Sequence, residues 1–184
     1  MLQLTRTMFL ILVVVMAACA GKREALDVFG DHQKKKIIEK SAYVQADFDF
    51  WAALYEPNTD DLEGLRNAWI EHGDAFPESK PIADIEKEVR KNGQRVVLVS
   101  LFMTSYENAD LRDKSLAWTV HPVPNKMIEL SETDLVLRRF MPVRNRWARY
   151  FMLIYSRDIW QQASTLVIAD ATSRVELKRT DFGQ

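Results

Sequence analysis

Residues Arg95 to Ser105 (RVVLVSLFMTS) are apolar on both of the faces that a period-two strand would present. The run is rich in β-branched and aromatic side chains, which suit a pleated, buried surface. A strand with two apolar faces belongs at the centre of a sheet covered from both sides. Tyr150 to Tyr155 (YFMLIY) is a second strongly apolar strand. These two segments restrict the chain to folds with a covered central sheet.

The other segments are more conventional. In Ala46 to Tyr55, Phe48, Phe50, Ala52 and Leu54 alternate with Asp47, Asp49, Trp51 and Tyr55, so a strand is expected, ended by Pro57-Asn58. A helix follows. Asn58 or Thr59 can cap it, Asp60, Asp61 and Glu63 fill its first turn, and Leu62, Leu65, Trp69 and Ile70 form its stripe up to Gly73. Ser79-Lys80-Pro81 opens a second helix, with Ile82, Ile85 and Val89 on one face and Asn92-Gly93 as its end. Further strands are expected at 116–120, 126–130, 165–169 and 174–179, the first interrupted by Pro122 and Pro124. The segment 29–40 reads as a short helix or the approach to a strand, and 131–134 as a turn or a single helical turn leading to Phe140.

No βαβα alternation occurs, which argues against a doubly wound parallel sheet. The expected fold class is α+β, mainly β: an antiparallel β-sandwich or half-barrel with a helical pair inserted after the first strand. The 166 residues from Cys19 to Gln184 suffice for one domain with a real core.

The amino terminus has a different character. Arg6 is followed by Met8 to Ala20, thirteen residues without a polar side chain. A membrane-crossing helix needs about 20 apolar residues, so this run suits a cleavable signal better than a permanent span. Met16-Ala17-Ala18-Cys19 resembles the lipobox of bacterial prolipoproteins, with Met16 at the position where Leu is commonest. The resemblance covers only the first twenty or so residues. It implies diacylglycerol on the Cys19 sulfur, cleavage by signal peptidase II before that residue, and acylation of the new amino group. Residues 1–18 would then be signal, 19–28 a lipidated tether and 29–184 the globular domain. The order of elements also resembles that of uncharacterised bacterial lipoproteins, which join a tethered signal to a compact β-rich domain, and this resemblance implies no activity. Ala20, in place of aspartate, implies the outer membrane, with the domain in the periplasm. Two other readings fit the same residues. Ala18-Cys19-Ala20 matches ordinary signal cleavage before Gly21, which would release a soluble periplasmic protein, and the segment also fits a short uncleaved anchor. Cys19 is the only cysteine, so no disulfide competes for its thiol.

Charge narrows the function classes. The chain has 25 Lys+Arg against 26 Asp+Glu, and loss of Arg6 leaves a net charge of −2. That is no field for gathering nucleic acid. The lysines at 34–36 lie close behind the anchor, where they either meet anionic headgroups or form a solvated face.

No catalytic motif stands out. His32, His72 and His121 fall in three separate elements without H-E-x-x-H spacing. No serine sits in G-x-S-x-G, and no phosphate-cradling glycine loop occurs. No metal site or cofactor is expected. Asp47 and Asp49 share a strand face at a spacing compatible with acid–base or metal chemistry, or serve as outward charges.

One cluster is unusual. Arg138, Arg139, Arg144, Arg146 and Arg149 fall within twelve residues, interleaved with Phe140, Trp147 and Tyr150. Guanidinium groups fork onto phosphate or carboxylate and stack on rings, and Arg and Trp are favoured at interface hot spots. The segment is a candidate for holding an anionic glycan, lipid phosphates or an envelope protein. Alternatively, Trp147 packs inward and the arginines pair with acids such as Glu129, Glu132 or Asp158. Two classes of function therefore remain: a non-catalytic interaction or assembly domain tethered at the envelope, or a tethered enzyme such as a hydrolase.

Overall fold

The computed structural model describes residues 25–178 apart from 144, 146 and 164. The chain opens with a helix, α1, in residues 25–34. It continues through β1 (Ile38–Val44), β2 (Asp47–Tyr55), α2 (Thr59–Glu71), α3 (Lys80–Val89) and β3 (Gln94–Met103). Two short 3₁₀ turns then lead to β4 (Thr119–His121), β5 (Lys126–Leu130), α4 (Leu135–Phe140), β6 (Arg149–Ser156), α5 (Arg157–Gln162), β7 (Thr165–Ala169) and β8 (Arg174–Lys178).

The strands form two antiparallel sheets, one of five strands in the order β1-β2-β3-β6-β5 and one of three in the order β4-β7-β8. The two most apolar strands, β3 and β6, pair from Gln94–Ser156 to Leu101–Arg149 inside the larger sheet. One face of that sheet carries Ala53, Tyr55, Val96, Leu98, Met152 and Ile154 into a core shared with Leu65, Ile85 and Leu137 of the helices. The opposite face carries Leu54, Val97, Val99, Phe151 and Leu153 into a second core with Leu166, Ile168, Val175 and Leu177 of the small sheet. The molecule is thus three layers: helices, five-stranded sheet, three-stranded sheet. This explains why β3 and β6 are apolar on both sides while β8 keeps one wet face, with only Val175 and Leu177 buried. The antiparallel α+β arrangement is that expected from the sequence, as stacked sheets and not a closed barrel.

The helical pair follows β2 as expected, with both caps in place. The Asn58 side chain accepts from the Asp61 N–H at 2.9 Å, while the Asp61 carboxylate accepts from the Asn58 N–H at 3.1 Å, a reciprocal capping box. Ser79 caps α3 by accepting from the Ile82 N–H at 3.3 Å. Gly73 and Gly93 follow the helices at φ of +90° and +81°, a region that suits glycine. Leu62, Leu65 and Ala68 of α2 are buried, whereas Ile70 is exposed.

Some expectations need correction. Residues 38–44 form a strand, so one strand precedes β2 and the helical pair comes after the second. Its alternation was obscured by Lys40 and Ser41, which an edge strand tolerates. The helix α1 already runs at residue 25, and Leu26 is buried, so the folded body includes residues 25–28 that were assigned to the tether. Leu26, Phe29 and Gln33 dock this helix at i, i+3 and i+7. The lysine run also divides: Lys36 pairs with the buried Asp61, and Lys34 with Asp31 at 2.9 Å.

Candidate functional site

At one end of the large sheet the strand pattern breaks. Ala42 pairs with Phe50 and Tyr43 with Phe48, leaving Asp49 as the extra residue of a β-bulge. Beyond the bulge the faces exchange. Phe48 does not follow Phe50 into the core; it packs on Tyr43 and Phe102, with ring centroids 6.2 and 6.1 Å apart. Asp49 turns to the small sheet, where its Oδ2 accepts from Ser173 Oγ at 2.5 Å and Thr172 Oγ1 at 3.2 Å. Asp49 of the Asp47–Asp49 pair thus ties the two sheets together.

The aromatic row continues from Phe102 into an open groove of about 570 Å³. Phe102 and Met103 from the end of β3, Tyr106, and Trp147 from the approach to β6 supply its apolar wall, and Glu132 and Arg138 its polar one. Trp147 is 63% exposed, Tyr43 59% and Tyr106 43%. These rings stand in water, and Tyr106 is held from behind. The backbone N–H of Trp147 donates to Asn145 Oδ1 at 2.9 Å. Tyr106 Oη donates to Glu132 Oε1 at 2.9 Å, and Arg138 Nε donates to the Glu132 carbonyl at 2.6 Å. Burial and the Glu132 carboxylate both raise the Tyr106 pKa, so the phenol is held as a donor.

Behind the groove lies an ion network. Arg149, 11% exposed in its side chain, donates to Glu129 Oε1 from Nε at 2.8 Å and to Asp110 Oδ2 from Nη2 at 2.9 Å. Its guanidinium also lies 5.3 Å from the Tyr106 ring centroid. Arg112 donates to both Asp110 oxygens at 3.1 Å and also pairs with Glu129. Hydrogen bonding from Arg112, with Arg149 adding charge, holds the Asp110 pKa down to about 2.

The arginine cluster is divided by this architecture. Arg149 is enclosed by Glu129 and Asp110, the pairing alternative. Arg139 lies 3.5 Å from Asp27 of α1. Arg138 borders the groove and also a larger cleft of about 800 Å³ beside α1, α2 and α4, where Leu26, Trp69 and Val136 meet His72 and Arg139. Trp147 faces outward, not into the core. Arg144, Arg146 and Cys19 lie outside the described residues. Tyr43, Phe102 and Tyr106 join the site without a signal in the sequence, Glu132 lines it as a neighbour of Arg138, and Phe48 joins because the bulge at Asp49 inverts its apparent face.

The histidines do not converge: His72 follows α2 in the helical layer, and His121 ends β4 in the small sheet, with the large sheet between them. Among the described residues no group of three or more His, Cys, Asp or Glu is placed to hold a metal ion, and no helix is long and apolar enough to cross a membrane. No protein-family model, curated protein or solved structure matches this chain.

Proposed function

We propose that this chain is a lipid-anchored, non-catalytic recognition domain of the bacterial envelope, presenting the Trp147 groove to an envelope protein or an anionic glycan. The observation that carries the recognition half is the row of exposed rings, Tyr43, Phe48, Tyr106 and Trp147, gathered at one end of the sheet. Large exposed rings gathered in one patch mark an interaction surface. The residues first considered for catalysis support the same reading: His72 and His121 lie in different layers, and Asp49 is engaged in a structural contact.

The anchoring half rests on Met16-Ala17-Ala18-Cys19. Acylation at Cys19 would hold the domain at the outer membrane, since two or more chains anchor stably where one is marginal. The domain itself would then need no apolar membrane face. Intact-mass analysis of the mature protein tests this, with Cys19→Ala as the control. The reading predicts acyl mass on Cys19 and passage of the variant into the soluble fraction. An unmodified mature protein starting at Gly21 would contradict it.

A further inference from the structure

We infer that the Trp147 groove binds an acidic saccharide, with sugar rings against Trp147 and Tyr106 and a sugar carboxylate on Arg138. This rests on the recognition reading above and specifies its ligand. The volume of about 570 Å³ lies within the range of clefts that take small ligands. Its chemistry is divided in the way a sugar is divided. Pyranose rings have C–H faces that settle on aromatic rings, and a rim of hydroxyls that donate and accept at once. The groove sets Trp147, Tyr106 and Phe102 beside the Glu132 carboxylate, the Thr104 and Thr133 hydroxyls, and Arg138.

Other small ligands match less of this surface. An acyl tail would strip water from Glu132 and Arg138 without replacing their hydrogen bonds. Inorganic phosphate would leave the rings unused. The preference for an acid rests on Arg138, since Arg149 is paired with Glu129 and Asp110 and Arg139 lies beside Asp27. Arg138 is the one of these that borders the groove among the described residues, and its Nε bond to the Glu132 carbonyl fixes the guanidinium plane there. A planar guanidinium in fixed position suits a carboxylate.

Isothermal titration of the full chain with two disaccharides tests the inference. One is N-acetylglucosamine joined to N-acetylmuramic acid; the other is N,N′-diacetylchitobiose, which has the same ring skeleton without the lactyl carboxylate. The acidic disaccharide is expected to bind at least about tenfold more tightly than the neutral one. Trp147→Ala weakens the acidic disaccharide by about tenfold or more, and Trp147→Phe restores much of the loss. Arg138→Gln removes the preference for the acid and leaves chitobiose binding in place. An unchanged unfolding midpoint in each variant assigns these losses to the groove. Equal binding of the two sugars by the parent chain would overturn the acidic assignment. Binding of neither, with Trp147-dependent binding of a proline-rich peptide, would overturn the saccharide and leave the recognition reading standing.

Discussion

Arg149 is the residue on which the site's frame depends. In the sequence it stands with four other arginines as a candidate ligand for anions, but its guanidinium is enclosed by Glu129, Asp110 and the rings of Tyr106 and Phe151. Replacing one member of a buried ion pair leaves the others charged and unpaired, which is costly. Arg149→Met is expected to lose about 2–4 kcal/mol in urea unfolding, together with the fixed position of Tyr106. Acid acts on the same network through Asp110. Its folded pKa is about 2 against an ordinary 3.8, so the folded state favours the carboxylate. The stabilisation is fully present above about pH 4 and is lost as pH falls through 2. Solvent contact limits it to about 1–2 kcal/mol. Urea midpoints measured between pH 5 and pH 2 should therefore fall less steeply for Asp110→Asn than for the parent chain. Equal slopes would show that the network contributes nothing to acid stability.

Among the elements, the helical pair and the central strands were legible because each obeys a single local rule. Asn58 and Ser79 precede their helices as caps, and Leu62–Leu65 and Ile82–Ile85 keep one face. Asn58→Ala should cost about 1 kcal/mol by undoing the capping box, and Ile85→Ala about 2–4 kcal/mol by opening a cavity against the sheet. Both are readable as shifts of the chemical unfolding midpoint. The elements that escaped were those decided by tertiary contact. Edge strand β1 has no continuous apolar face to announce it. The short helix α4 is fixed by Asp134, whose carboxylate accepts from both the Leu137 N–H at 2.8 Å and the Ser79 hydroxyl at 3.0 Å, the second contact arriving from another helix start. The bulge at Asp49 is invisible in the alternating pattern, yet it turns Phe48 towards Phe102 and Asp49 towards the small sheet. The aromatic surface could not be assembled from sequence for that reason, although Trp147 and Arg138 were recognisable within it.

For the whole molecule, layering explains where function is available. Helices cover one face of the large sheet and the small sheet covers the other, so β3 and β6 are consumed by the two cores. The rings collect at the sheet end, where Tyr43, Phe48, Phe102 and Trp147 come from three separated stretches of chain: the β1–β2 hairpin, the end of β3 and the approach to β6. Such a surface is suited to holding a partner while an acylated Cys19 holds the membrane. The most direct test places the photo-crosslinking residue p-benzoylphenylalanine at Tyr43, in the exposed row, and separately at Ile70, on the exposed face of α2, in cells producing the full chain. The account predicts a discrete adduct from position 43 that is lost with Trp147→Ala and is absent from position 70. Equal labelling from both positions, or an adduct at 43 indifferent to Trp147, would contradict the assignment of this surface as the recognition site.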